Sequence, residues 1–153
     1  MADDGTRSVR IEQQQDYRVA IVWDPGRPPL VADEPPPLGR AEGPSPGQLL
    51  LGAVGNCMTD SLLFAMRKFG LDAEPLSTRV DASVGRNPQG RQRFLSIDVV
   101  LTLGKVPGDA AKLARVLGQF EQFCTVGQSV AQGIPTRVTV RGPDGAVLHG
   151  EGA

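Results

Sequence analysis

One histidine, His149, and two cysteines, Cys57 and Cys124, are all that the 153 residues contain of these types. Their scarcity narrows the chemistry. A lone imidazole near the C-terminus leaves no Cys/His cluster for zinc and no ready Cys–His catalytic pair. No carboxylate spacing suggests another metal site, so no metal is expected. Net charge is nearly absent as well: 16 Lys and Arg against 17 Asp and Glu leave −1, and the basic residues are scattered. Nothing electrostatic points to nucleic acid or an anionic membrane as partner. The opening MADDGTRSVR lacks an apolar leader, and the one long apolar run, 49–66, is broken by Asn56, Thr59, Asp60 and Ser61. Neither secretion nor membrane insertion is indicated, and a cytoplasmic protein is expected.

What remains is the composition of a globular protein, 40% hydrophobic and 22% charged, long enough for a single domain over residues 1–153. Its organising stretch is 44–70, PSPGQLLLGAVGNCMTDSLLFAMRKFG. Ser45 suits an N-cap, Pro46 the first helical position, and Gln48 can close a capping box onto Ser45. Arg67 and Lys68 favour a helix C-terminus and Gly70 a left-handed stop. Between these marks the side chains are apolar on nearly every face, which predicts a buried central helix with Cys57 in its middle.

Residues 1–15 read as a flexible lead with one short strand at 9–12. Residues 17–23, YRVAIVW, read as a strand with Tyr17, Val19, Ile21 and Trp23 on one face. Residues 24–47 are rich in proline and glycine and read as a loop with a brief extended piece around Leu30, placed to line a pocket where it enters the helix. Beyond Gly70, Leu76, Thr78, Val80, Ala82 and Val84 alternate along one strand, and Leu95, Ile97, Val99, Leu101 and Leu103 along the next. The turn at 86–90, RNPQG, joins them in an antiparallel hairpin. Asp109 then caps a second helix with Leu113, Val116, Leu117, Phe120 and Cys124 at helical spacing, and Thr125 with Gln128 makes a capping box for a short third. Strands at 136–140 and 146–148 close an α+β layout, helices packed on an antiparallel sheet.

Both cysteines can be read as small buried hydrophobes. The reactive alternative has conditions. Cys57 shares its helix stripe with Leu50, Ala53, Val54, Asp60, Ser61 and Phe64, and desolvation there raises a thiol's pKa. A nucleophilic Cys57 therefore needs a cation, and Arg40 in the loop before the helix is nearest in sequence; Arg18, Arg27 and Arg10 are less direct. Were Cys57 oxidised to a sulfenic acid, Cys124 could condense with it, provided their Cα atoms come within ~7 Å.

The segments GPSPGQLLLGAVGNC and FCTVGQSVAQGIP, set in a chain with a proline-rich approach, a long hairpin and a second helix ending in Cys-Thr-Val, resemble the OsmC/Ohr family of thiol-dependent peroxidases over about residues 17–140. The resemblance implies an OsmC-like fold, an antiparallel sheet wrapped on two central helices in an intertwined homodimer with its active sites at the subunit interface. It implies reduction of organic hydroperoxides with Cys57 as peroxidatic and Cys124 as resolving cysteine, an arginine held by a glutamate beside the thiolate, a thiol reductant, and no bound cofactor. Arg40 is the expected arginine. The family's glutamate position holds Gly47, so Glu42 and Gln48 are the candidates for its role toward substrate and arginine. The alternatives are a catalytically weak relative that binds a small apolar molecule or senses oxidation, and a purely structural dimer.

Overall fold

The computed structural model describes residues 5–151 and divides into two compact units, residues 1–50 and 51–153. The first unit holds three short strands, β1 (Arg10–Gln15), β2 (Arg18–Val22) and β3 (Leu30–Ala32), in an antiparallel sheet of order β1-β2-β3. β1 takes in residues that the sequence reads as a flexible lead; the first four residues of that lead lie outside those described. On β2 the side chain that is buried is Ala20, with Ala32 of β3, while Tyr17 and Trp23 stay exposed. A unit this small has little apolar surface with which to cover aromatic rings, so the expected face is not the buried one.

Helix α1 (Pro46–Lys68) begins in the first unit and continues into the second. Its start is the anticipated reciprocal box: Ser45 N–H donates to Gln48 Oε1 at 2.9 Å and Gln48 N–H to Ser45 Oγ at 3.3 Å. Its end is a Schellman motif, with Leu71 N–H on the Met66 carbonyl and Gly70 N–H on that of Arg67, Gly70 standing at φ +67°. By length and composition α1 could cross a membrane. Its Val54, Met58, Leu62 and Met66, one per turn, are core residues of the second unit.

That unit carries a four-stranded sheet of order β4-β5-β6-β7, from β4 (Ser77–Arg86), β5 (Gln92–Thr102), β6 (Thr136–Arg141) and β7 (Val147–His149). Ile97, Val99 and Leu101 of β5 are fully buried against the helices, with Leu103 just beyond the strand. Two residues of the expected apolar rows fall out of line. Ser83 pairs with Ser96 but Val84 pairs with Phe94, so Leu95 is an extra residue and a bulge resets the alternation. Val84 and Leu95 are exposed in consequence. The sheet is also mixed rather than antiparallel throughout, because β5 and β6 run parallel from Ile97↔Thr136 to Thr102↔Arg141. A parallel pair needs a crossover, supplied by α2 (Ala110–Leu117), a 3₁₀ turn (Phe120–Phe123) and α3 (Thr125–Ala131).

α1 lies closely on β4. A Cβ on Gly55 would stand 2.7 Å from Val80 Cγ2, and Thr59 Oγ1 is bonded to Thr78 Oγ1. These contacts bracket Cys57 and set its height over the sheet.

Candidate functional site

Cys57 is half-buried on α1; Cys124 is fully buried where the 3₁₀ turn meets α3. Both are free thiols. Cys124, not Thr125, caps α3: its sulfur accepts from Gly127 N–H at 3.3 Å, while Gln128 turns back to donate to the Glu121 carbonyl. The expected capping box is therefore shifted by one residue, a thiol serving where a hydroxyl was anticipated. Gly127 is held to glycine by proximity, because a Cβ there would lie 2.9 Å from both Cys124 Sγ and Met58 Cε.

The two thiols interact. Burial, with side-chain hydrogen bonding to Cys57, pushes the Cys124 pKa up to about 11, against the opposing effect of the Gly127 N–H and the Ser61 hydroxyl. The resting Cys124 is a protonated thiol whose side chain interacts with that of Cys57.

A second polar cluster is built in the first unit around Asp33. This buried carboxylate accepts from the backbone N–H groups of Arg40 (2.9 Å), Glu34 (2.9 Å) and Glu42 (3.2 Å), gathering the proline-rich loop onto one side chain. The bond from Arg40, with those from Glu42 and Glu34 and the nearby Arg18 charge, holds the Asp33 carboxyl below its ordinary range against the effect of burial. A depressed folded pKa contributes stability that is present above the titration of an unfolded aspartate and is lost as pH falls through the folded value. Asp33→Asn is accordingly expected to lower Tm at neutral pH and to flatten the acid limb of the Tm–pH curve. A variant curve parallel to wild type below about pH 5 would count against this role.

Beside Asp33, Arg18 Nε lies 2.9 Å from Glu42 Oε2, an ion pair without the alignment of a formed hydrogen bond. Arg18, Asp33, Arg40 and Glu42 line a cavity of about 180 Å³. Of the sequence candidates, then, Cys57 and Cys124 come together, and Glu42 meets an arginine, but that arginine is Arg18. Arg40 offers Asp33 its backbone, and its exposed side chain forms no ion pair among the described residues. The Gln48 carbonyl is occupied by the helix cap. His149 meets the Glu121 carboxylate at 2.7 Å, not a thiol. Asp33, Ser61 and Gly127 were not singled out from sequence as site residues. The usable signal was slight: an acid between two proline-rich runs for Asp33, and the i+4 spacing from Cys57 for Ser61.

The family model described as OsmC-like protein matches residues 39–139. Solved structures of similar fold include an OsmC-like protein of unknown function from Vibrio cholerae, 14% identical over 89% of this chain and 99% of that one, TM-score 0.75. An OsmC-like protein from Mycoplasma pneumoniae is 17% identical over 90% of this chain and 99% of that one, TM-score 0.73. The organic hydroperoxide resistance protein OhrB of Bacillus subtilis is 13% identical over 90% and 98%, TM-score 0.66. No curated protein matches the sequence.

Proposed function

From the premise that the chain belongs to the OsmC-like family, we propose that it is a thiol-dependent hydroperoxide reductase working as a cytoplasmic homodimer. The observation that carries this reading is the meeting of Cys57 with a buried, protonated Cys124. The Cys57 thiolate attacks the outer oxygen of the hydroperoxide; the O–O bond breaks and the alcohol leaves with a proton, so the peroxide is reduced and Cys57 becomes a sulfenic acid. Cys124 then attacks the Cys57 sulfur, an S–S bond forms, the S–O bond breaks, and water leaves. An external thiol reduces the disulfide and closes the cycle. No cofactor enters. The exposed Phe64 and Ala53 side chains of α1, on a face shared with Asn56 and Asp60, are compatible with assembly with a second copy.

The family resemblance calls for a guanidinium to favour the Cys57 thiolate; Arg40 is the candidate nearest the helix in sequence, and Arg18 is the arginine that Glu42 pairs with in the first unit. Glu42 is the candidate for the carboxylate absent at Gly47. Glu42→Gln is expected to slow peroxide reduction about tenfold through lost pre-organisation. Gly47→Glu should change little alone and restore the rate in the Glu42→Gln background. Steady-state assays of the three variants check this, and a large gain from Gly47→Glu alone contradicts it.

The decisive experiment is stopped-flow oxidation of the reduced protein by cumene hydroperoxide and by hydrogen peroxide, with mass spectrometry of the product. Fast oxidation preferring the organic peroxide and ending in a Cys57–Cys124 disulfide is expected. Oxidation at the rate of a free thiol refutes the enzyme. One observation favours a second reading, binding of a small apolar molecule: Val84, Phe94 and Ile134 help to line a cavity of about 390 Å³ in the second unit. In that case Cys57→Ser retains ligand affinity.

A further inference from the structure

α1 carries one buried polar side chain that neither the fold nor the peroxide chemistry has yet used. Ser61 sits one turn beyond Cys57, so the two project from the same face of the helix. Ser61 is 3% exposed, and its Oγ has no hydrogen-bond partner among the described residues. A serine hydroxyl left in this way ordinarily costs stability without return. Cys124 packs on this stretch of α1: a Cβ on Gly127, whose N–H donates to the Cys124 sulfur, would stand 2.9 Å from both Cys124 Sγ and Met58 Cε, and Met58 lies between Cys57 and Ser61 in the helix.

We propose that the Ser61 hydroxyl is the donor that steadies the Cys124 thiolate as it closes on Cys57, a positioning residue for disulfide formation. This rests on the peroxidase reading of the same pair of thiols.

The resting thiol is a poor acceptor, and the hydroxyl is accordingly unpaired. Once the proton leaves, the sulfur becomes a charged acceptor in a fully buried position. Gly127 N–H supplies one hydrogen bond, and Ser61 is placed to give the second. The Ser61 hydroxyl is close enough to favour ionisation of Cys124 against the effect of burial, although in the resting state it is not aligned as a formed hydrogen bond. Hydrogen bonds to charged groups are about twice as strong as neutral ones, so a hydroxyl idle in the resting state gains its value only as charge appears.

The test needs no peroxide. Cys57, the more accessible thiol, is converted to its mixed disulfide with thionitrobenzoate; Cys124 attacks the Cys57 sulfur, and the coloured thionitrobenzoate anion departs as the protein disulfide forms. Release is timed across a pH series for wild type, Ser61→Ala and Ser61→Thr, with Tm for each. Ser61→Ala is expected to slow release about tenfold at neutral pH while leaving Tm unchanged or higher, since it removes an unpaired buried hydroxyl. Ser61→Thr, which keeps the hydroxyl, should recover most of the rate. Equal release in wild type and Ser61→Ala overturns the proposal. Equal slowing in both variants overturns it too, since packing rather than the hydroxyl would then be responsible. If wild type proves inert to peroxides yet Ser61→Ala still slows release, the peroxidase reading fails and the role of Ser61 toward Cys124 stands.

Discussion

Cys57→Ser is expected to reduce hydroperoxide turnover by on the order of a thousandfold or more, because the nucleophile that receives the peroxide oxygen is removed outright and no other thiol is accessible. Cys124 cannot take its place: it is fully buried, and burial holds it protonated at neutral pH. Cys124→Ser should behave differently. Its first turnover proceeds at the wild-type rate, since the initial attack does not involve the resolving thiol, and later turnovers fail. Without Cys124 the Cys57 sulfenic acid persists and is carried by further peroxide to the sulfinic acid. Single-turnover kinetics with intact-mass measurement separates the two variants. Equal loss of the first turnover in both would mean that Cys124 contributes to the first step, contrary to the order of events drawn here.

Gly127→Ala should strike the second step instead. The added methyl keeps the backbone N–H that bonds Cys124, yet its carbon would lie 2.9 Å from Cys124 Sγ and 2.9 Å from Met58 Cε. Met58 belongs to the packed core, so the Met58 methyl, the Cys124 sulfur or both must shift to admit the new carbon. Overpacking of this kind costs about 1–3 kcal/mol, seen as a lower Tm. The effect on chemistry is larger: a displaced sulfur loses its line of attack, and disulfide formation should fall about a hundredfold. Trapping of the sulfenic acid with dimedone checks this, because the adduct accumulates in Gly127→Ala and not in wild type. Wild-type disulfide formation in the variant would show that the Gly127 approach does not control where the sulfur points.

Where function is coded locally it could be read from the chain. The caps of α1 are matters of a few adjacent residues, Ser45 with Gln48 and Gly70 with Leu71, and both formed as expected. The period-two row Ile97, Val99 and Leu101 and the α2 cap at Asp109 were legible for the same reason. The OsmC-like fold followed from the segments around the cysteines. What escaped depends on pairing between distant residues. Whether Leu95 continues its row or stands as an extra residue is decided by how many residues of β4 oppose it, which no property of β5 alone reveals. The parallel run of β6 beside β5 is likewise a property of the crossover. That Glu42 pairs with Arg18, from β2, across the loop that Asp33 organises is also a matter of residues distant in sequence. Ser61 was visible as a neighbour of Cys57; its lack of a partner became visible only with the packing around it.

The parallel β5–β6 pairing has a bearing on how the chain is made. Cys57 leaves the ribosome long before Cys124, and the latter reaches its post only after the crossover has folded and β6 has docked, a distant contact of the kind that forms slowly. On the proposed mechanism a nascent chain therefore passes through an interval in which Cys57 is present without its resolving thiol.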